Sequence, residues 1–290
     1  MQNINRILLM TLMAIAFLGI YGCKKTNYVE EVHRYEIVET PPGTGNGGSA
    51  DGDIRVMSYD INYTNRALKG TNTGVLDIEA VADVINSNKP DIVCMRQVDQ
   101  FTTRGQMDVD QAKKMSELTG MNYFYAPVRT VSQGTSGNAI LSRYPILNSE
   151  NIRLHTDPND EARGAAIAVL DLGSGKKLRV VSTQLEFGKE ANRLIQIDEL
   201  KTKLKADDIP MVLAGNMTAN VGTASFNKLT EYFMLYTKET PLPTFSYPNP
   251  TTVSDYVFFS SAAQVKVVNF YTAGYTPNRH VPLIVNFELK

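Results

Sequence analysis

Residues 137–146 read Gly137-Asn138-Ala139-Ile140-Leu141-Ser142-Arg143-Tyr144-Pro145-Ile146, a short and mostly apolar run that predicts a strand over 138–142. Upstream, Ile54, Val56 and Ser58 alternate with Arg55, Met57 and Tyr59, and residues 91–95 form a buried apolar run; both read as strands. Downstream, strands are expected at 165–170, 178–183, 211–214, 256–259, 265–270 and 283–287. Three other segments carry apolar residues at helical spacing. Residues 76–86 place Ile78, Val81, Val84 and Ile85 on one face, and Lys89-Pro90 ends that helix. Asp108 is placed to cap a second helix that runs through Met115 and Leu118 to Gly120. A third, amphipathic, covers 189–204. Paired runs of strands with few helices predict two packed sheets with helices outside, not a doubly wound parallel sheet.

Composition narrows the function classes. A chain of 290 residues is within reach of one large domain, and 43% apolar residues suffice for a sizeable core. Lys and Arg number 29 against 30 Asp and Glu, so the bulk basic charge of a nucleic-acid binder is missing and nucleic acid is not an expected partner. Residues 1–22 read as a leader: Arg6 is their only charge, and 7–20 are apolar but short for a bilayer span. The leader ends at Ile20-Tyr21-Gly22-Cys23, which resembles a bacterial lipobox with Cys23 as the lipidated residue. Each buried methylene of an acyl chain adds ~0.8 kcal/mol of membrane affinity. Residues 23–53 then read as lipidated Cys and flexible tether, because Thr40-Pro41-Pro42-Gly43-Thr44-Gly45-Asn46-Gly47-Gly48-Ser49 has too little apolar area to fold. Such a tether reaches at most about 100 Å. The folded domain is expected over 54–290, as a monomer in the cell envelope. The outer membrane is favoured because Lys24-Lys25, not Asp, follows Cys23. Cys94 sits in an apolar run and reads as a buried free thiol. His33 in the tether and His155 in a loop carry no expected role.

Eight segments stand in a telling order: Arg55-Val56-Met57-Ser58-Tyr59-Asp60-Ile61, Pro90-Asp91-Ile92-Val93-Cys94-Met95-Arg96-Gln97-Val98-Asp99, the 137–146 stretch, Glu161-Ala162-Arg163-Gly164-Ala165, Val181-Ser182-Thr183-Gln184-Leu185, Leu213-Ala214-Gly215-Asn216-Met217-Thr218-Ala219, Ser254-Asp255-Tyr256-Val257-Phe258 and Asn278-Arg279-His280-Val281-Pro282. Together they resemble the endonuclease/exonuclease/phosphatase superfamily, whose best-known member is pancreatic deoxyribonuclease, across essentially all of 53–290. The resemblance implies an α/β fold, a four-layer α/β/β/α sandwich of two mainly antiparallel sheets with outer helices. It places the active site at strand ends, in a cleft at one end of the sheets.

His280, Asp255 and Asn138 occupy retained family positions, and Arg163 also fits the pattern. Elsewhere the chain departs from it. Where the family has Glu to hold Mg²⁺, Gln97 offers only a neutral amide oxygen, and Mg²⁺ favours hard, charged oxygens in near-octahedral array. Asp60 replaces the family's Asn, so the local negative charge is kept on the other partner. If any metal binds, it would lie among Asp60, Gln97 and Asp255; the competing reading pairs Asp60 with a neighbouring Arg. Asn216 replaces the carboxylate that activates the attacking water, help typically worth about 10²- to 10⁴-fold. Thr218 replaces a phosphate-orienting amide and keeps one hydroxyl donor. Gln184 replaces a histidine and cannot shuttle a proton. Arg279 replaces the carboxylate beside His280 and would repel a divalent ion. Arg96, one residue before Gln97, is expected on the opposite face of a regular strand, as a structural ion-pair partner.

Two expectations follow. The first is a binding or interaction lipoprotein on a degenerate phosphohydrolase scaffold, with no cofactor. It would take phosphate, sulfate or a sugar phosphate through Arg163, Arg279, His280 and the amides. The second is a working phosphodiesterase or phosphomonoesterase with Mg²⁺ or Mn²⁺ displaced onto Asp60 and Asp255. The loss of acidic residues at 97 and 216 favours the first. Each retained residue has a structural reading too: Asn138 as a turn residue, Asp255 as a strand-end brace, His280 as a surface histidine and Arg163 as a solvated charge at a strand start.

Overall fold

The central strands are apolar on both faces, and such strands are stable only when covered on both sides. A computed structural model describes residues 53–204, 208–260 and 263–290. The expected leader, Cys23 and the tether through residue 52 lie outside the described residues. In chain order the elements are β1 (Ile54–Asp60), a 3₁₀ turn (Asn62–Thr64), β2 (Asn65–Leu68), β3 (Thr71–Leu76), α1 (Ile78–Asn88), β4 (Ile92–Gln100), α2 (Gln111–Thr119), β5 (Asn122–Val131), β6 (Gly134–Ser142) and β7 (Ile146–Arg153). They continue with β8 (Gly164–Gly173), β9 (Lys176–Gln184), α3 (Glu190–Lys203), β10 (Met211–Asn216), α4 (Ala224–Tyr232), β11 (Met234–Leu235), β12 (Asp255–Phe259), β13 (Val265–Thr272) and β14 (Leu283–Leu289).

One six-stranded sheet has the order β13-β14-β1-β4-β6-β5 and the other β11-β12-β10-β9-β8-β7, while β2 and β3 form a separate hairpin. Every described pairing is antiparallel except β1 with β4 and β10 with β9. Parallel neighbours need a crossover, and α1 and α3 supply the two. The expected sandwich is therefore borne out, with a period of two in each central strand. Val56 of β1, Ile92 and Cys94 of β4, Val212 of β10 and Val257 of β12 point between the sheets. The alternate residues Met57, Val93 and Met95 pack beneath α1 and α2, and Leu213, Tyr256 and Phe258 beneath α3 and α4. Each such side chain contributes about 1.5–3 kcal/mol when fully buried. No helix of the described residues is long and apolar enough to cross a membrane.

Local signals differ from expectation in a few places. The cap of α2 is Asp110, whose carboxylate accepts from Lys113 N–H, and not Asp108; Gly120 ends the helix in the left-handed region as expected. Helix α1 begins at Ile78, because the Asp77 side chain accepts from Ala80 N–H and caps it there. Helix α4 is not apparent in the sequence pattern: Phe226 and Leu229 are its only buried apolar residues, too few to display a helical period. Edge strand β7 exposes most of its residues and lacks alternation. Cys94 is buried, and burial pushes its thiol up to about 12.

Candidate functional site

Beyond the apolar core the same alternation continues into polar residues. Asp60 follows Val56 and Ser58, Arg96 follows Ile92 and Cys94, and Asn216 follows Val212 and Ala214 at even spacing, on the face that looks between the sheets. Strand register then lines them up. Asp60 is opposite Arg96, Gln184 is opposite Asn216, and Asn216 is opposite Asp255. Close approach matters at Gly215, where a Cβ would run into the Thr183 carbonyl; glycine lets β10 lie tight against β9 just before Asn216.

The inner half of the site is a dry charge cluster. Arg96 is wholly buried. Its guanidinium forms an ion pair with Asp255 and donates from Nη1 to Ser58 Oγ at 3.0 Å and to the Cys94 carbonyl at 2.9 Å. Its Nε has no hydrogen-bond partner among the described residues. The other Asp255 oxygen lies 3.4 Å from His280 Nδ1, and His280 Nε2 lies 3.8 Å from Asp60 Oδ2. Asp60 also accepts from Asn62 N–H at 3.0 Å and from Gln97 Nε2 at 2.9 Å. The His280 ring packs on Phe245 with centroids 4.8 Å apart, and its backbone N–H donates to Asn278 Oδ1 at 2.8 Å.

Burial, the largest influence on His280, pulls its pKa down, but Asp60 and the hydrogen-bonded Asp255 together raise it above its ordinary value. Burial likewise pushes Asp255 up, and Arg96 followed by His280 and Thr244 outweighs it, holding the carboxyl below the usual range. A protonated His280 makes the four charges cancel.

The outer half opens as a small cleft of about 20 Å³ lined by Gln97, Ser136, Asn138, Glu161, Arg163 and Gln184 among others. Glu161 pairs with Arg129 and, at 2.7 Å, with Arg163 Nη1; Glu186 Oε2 lies 3.7 Å from Arg163 Nε. Asn138 donates to the Gly164 carbonyl at 2.8 Å and so ties β6 to β8 across the sandwich. Asn216 Oδ1 accepts from Thr218 N–H at 3.1 Å, and Thr218 Oγ1 donates to the Glu186 carbonyl at 3.0 Å. The Gln184 side chain faces this cleft without a hydrogen bond among the described residues. The Arg279 guanidinium lies over the Phe245 ring, 4.6 Å from its centroid, with no acidic partner among the described residues.

Several placements correct the sequence reading. Asp60 is not paired with a neighbouring Arg; its partners are Gln97, Asn62 and His280, and the neighbouring Arg96 takes Asp255 instead. The ion pair expected of Arg96 lies inside the site, because its even position in β4 points it between the sheets. Gln97 reaches Asp60 only because β4 bulges between Met95 and Val98, with Gln97 in the left-handed region at φ 51°. His280 is buried, not at the surface, and the carboxylate that orients it is Asp255. Arg163 is buried in glutamate pairs and is not a solvated charge. The Thr218 hydroxyl donor is committed to the backbone. Arg96 is the expected structural ion-pair partner, and Asn278, which accepts from the His280 backbone, is the site residue whose role the motif comparison passed over.

The superfamily's metal does not fit this arrangement. Among the described residues no group of three His, Cys, Asp or Glu side chains is placed to hold an ion. Asp60 and Asp255 already have partners, one of them a guanidinium that a divalent cation would have to face. Asn216 offers an amide that cannot accept a proton at neutral pH.

Two six-stranded sheets face to face, helices outside, and a polar cleft at the ends of the central strands define the class of endonuclease/exonuclease/phosphatase sandwiches. Residues 68–238 match the family described as PGAP2IP, C-terminal nuclease-like domain, and the chain belongs to that family. Solved structures share the fold. An endonuclease/exonuclease/phosphatase from Beutenbergia cavernae is 19% identical with a TM-score of 0.68, covering 82% of this chain and 72% of its own. The human Nocturnin catalytic domain with bound sulfate anion is 21% identical, with a TM-score of 0.63 and coverage of 82% and 95%. The Bacteroides thetaiotaomicron mannosyl-6-phosphatase is 15% identical, with a TM-score of 0.63 and coverage of 81% and 99%. At these identities the likeness carries the fold alone. No curated protein matches the chain in sequence.

Proposed function

We propose that this nuclease- and phosphatase-like domain is a metal-independent binding module for a small anion, and that it no longer cleaves phosphoesters by the superfamily's route. One observation carries the reading: the carboxylates at the site are already partnered, whereas the guanidinium of Arg279, next to His280 in the chain, rests on the Phe245 ring with no acidic partner among the described residues. An entering anion meets the Gln184 amide in the cleft, and Arg279 is the nearby cation without an acidic partner among the described residues. The anion meets no base able to activate water, since Asn216 and Gln184 are amides. Phosphate, sulfate and sugar phosphates are the class with the matching charge; sulfate is bound in the human Nocturnin domain, and a phosphorylated sugar is the substrate named for the Bacteroides thetaiotaomicron phosphatase.

Titration calorimetry with inorganic phosphate in EDTA tests the reading. Binding is expected without metal, weakened about tenfold or more in Arg279→Gln, the scale of a lost charge-assisted contact. Binding that requires Mg²⁺, or turnover of a phosphodiester, would sink the proposal. We further propose that acylated Cys23 holds the domain, as a monomer, at the cell envelope, with the outer membrane favoured by Lys24-Lys25. Cys23→Ser should move the protein out of the membrane fraction, and an unchanged distribution would overturn the anchor.

A further inference from the structure

Arg96 is not an ordinary member of the charge cluster. It is the wholly buried arginine, it stands opposite Asp60 in the register of β1 and β4, and its guanidinium is in contact with Asp255 across the gap between the two sheets. Ser58 Oγ and the Cys94 carbonyl fix its plane from the other side. A guanidinium does not lose its proton at any accessible pH, and a side chain enclosed by both sheets cannot swing to solvent.

We propose that Arg96 is the resident cation of this site: it supplies the positive charge that Asp60 and Asp255 require, and it, not Gln97, is the residue that keeps divalent ions out. This deepens the metal-free reading above and rests on it. Gln97 is neutral and half-buried, and its side-chain amide donates to Asp60. Replacing it with Glu adds one negative charge but leaves the guanidinium on Asp255. Restoring acidic residues at 97 and 216, with histidine at 184 and aspartate at 279, would for the same reason leave the cluster closed to metal. Replacing Arg96 removes the competing cation and frees one Asp255 oxygen, with Asp60 directly opposite position 96 in the register of β1 and β4. Gln is polar and nearly as long as Arg but uncharged, so Arg96→Gln is the natural exchange.

The test is Mn²⁺ binding followed by electron paramagnetic resonance, on the whole chain, for wild type, Arg96→Gln, Gln97→Glu and the double variant. Wild type and Gln97→Glu are expected to leave the Mn²⁺ signal free. Arg96→Gln and the double variant should each take up one Mn²⁺, displaceable by Mg²⁺, at least about tenfold more tightly than wild type, a modest share of what removing a nearby unit charge allows. Circular dichroism reports folding. If Arg96→Gln folds only when Mn²⁺ is added, that supports the proposal, because a ligand of the native state draws folding with it. A folded Arg96→Gln with no gain over wild type overturns it. So does Gln97→Glu alone taking up Mn²⁺ about tenfold or more tightly than wild type, a result that does not depend on whether Arg96→Gln folds; if Arg96→Gln stays unfolded even with Mn²⁺, a free signal in Gln97→Glu supports the proposal. Phosphate binding is read separately by calorimetry, so failure of the anion assignment and failure of the Arg96 assignment are told apart.

Discussion

The inner and outer halves of the cleft use the same chemistry to opposite ends. Inside, Arg96, Asp255, His280 and Asp60 are buried, with side-chain exposures of 0%, 1%, 11% and 0%. Outside, Arg129 and Glu161 hold an ion pair whose side chains are 28% and 36% exposed. A buried pair cannot exchange its partner for water, so removing one member strands the other. An exposed pair loses little on breaking and re-forms readily. The inner half is therefore a closed structural network, and the outer half is the part whose pairs can open to a ligand. The largest expected effect breaks the inner half. Asp255→Asn leaves Arg96 buried and uncompensated, at a cost of about 3–5 kcal/mol. For a domain of this size that lowers the thermal midpoint by about 10 °C. A denaturant titration giving less than about 1 kcal/mol would make the two halves energetically alike and end the distinction.

Titration sharpens the same contrast. His280 has its folded pKa raised above 6.5, so its contribution to stability is fully present below that pH and is lost as pH rises through the folded value. Asp255 has its folded pKa depressed below 3.8, so its contribution is present above that pH and is lost as pH falls through the folded value. Stability should thus show a plateau between the acid and neutral limbs. His280→Gln should flatten the decline above neutrality and leave the acid limb in place, as read from urea midpoints across the pH range. An alkaline limb that persists unchanged in His280→Gln would mean that the histidine is not charged inside the cluster.

Much of this was legible in the sequence, and the part that was not has identifiable causes. The sandwich followed from the strand pattern and the order of eight segments, and alternation alone places Asp60 and Arg96 on the same inter-sheet face when counted from Val56 and Ile92. What misled was the assumption that Gln97, at the family's metal position, must be the inward residue of that pair. The bulge that carries Gln97 to Asp60 shows only as a register slip and a positive φ, neither written in residue types. The Arg96–Asp255 pair joins residues 159 apart in sequence, on different sheets, and no local pattern couples them. The motif showed the carboxylate beside His280 lost at 279, yet Asp255 orients the ring from another strand. Helix α4 and strand β7 were invisible for a simpler reason: one buries few apolar residues and the other has an exposed face with no alternation.

The smallest effect bears on the outer half alone. Glu161 holds both Arg129 and Arg163 in charge balance at the cleft wall while a third of its side chain stays in solvent. Glu161→Gln removes one charge and keeps the shape, so the stability change should stay within about 1 kcal/mol. Two guanidinium groups then lack their shared acid, although Glu186 still faces Arg163. Phosphate should bind several-fold more tightly than to wild type in dilute buffer. The gain should shrink as salt rises, since exposed charges are screened beyond roughly 8 Å at physiological ionic strength. The inner cluster has no route to this response: its charges are enclosed, and salt does not reach them. A Glu161→Gln protein that is markedly unstable, or whose gain in phosphate affinity ignores salt, would place Glu161 with the buried network.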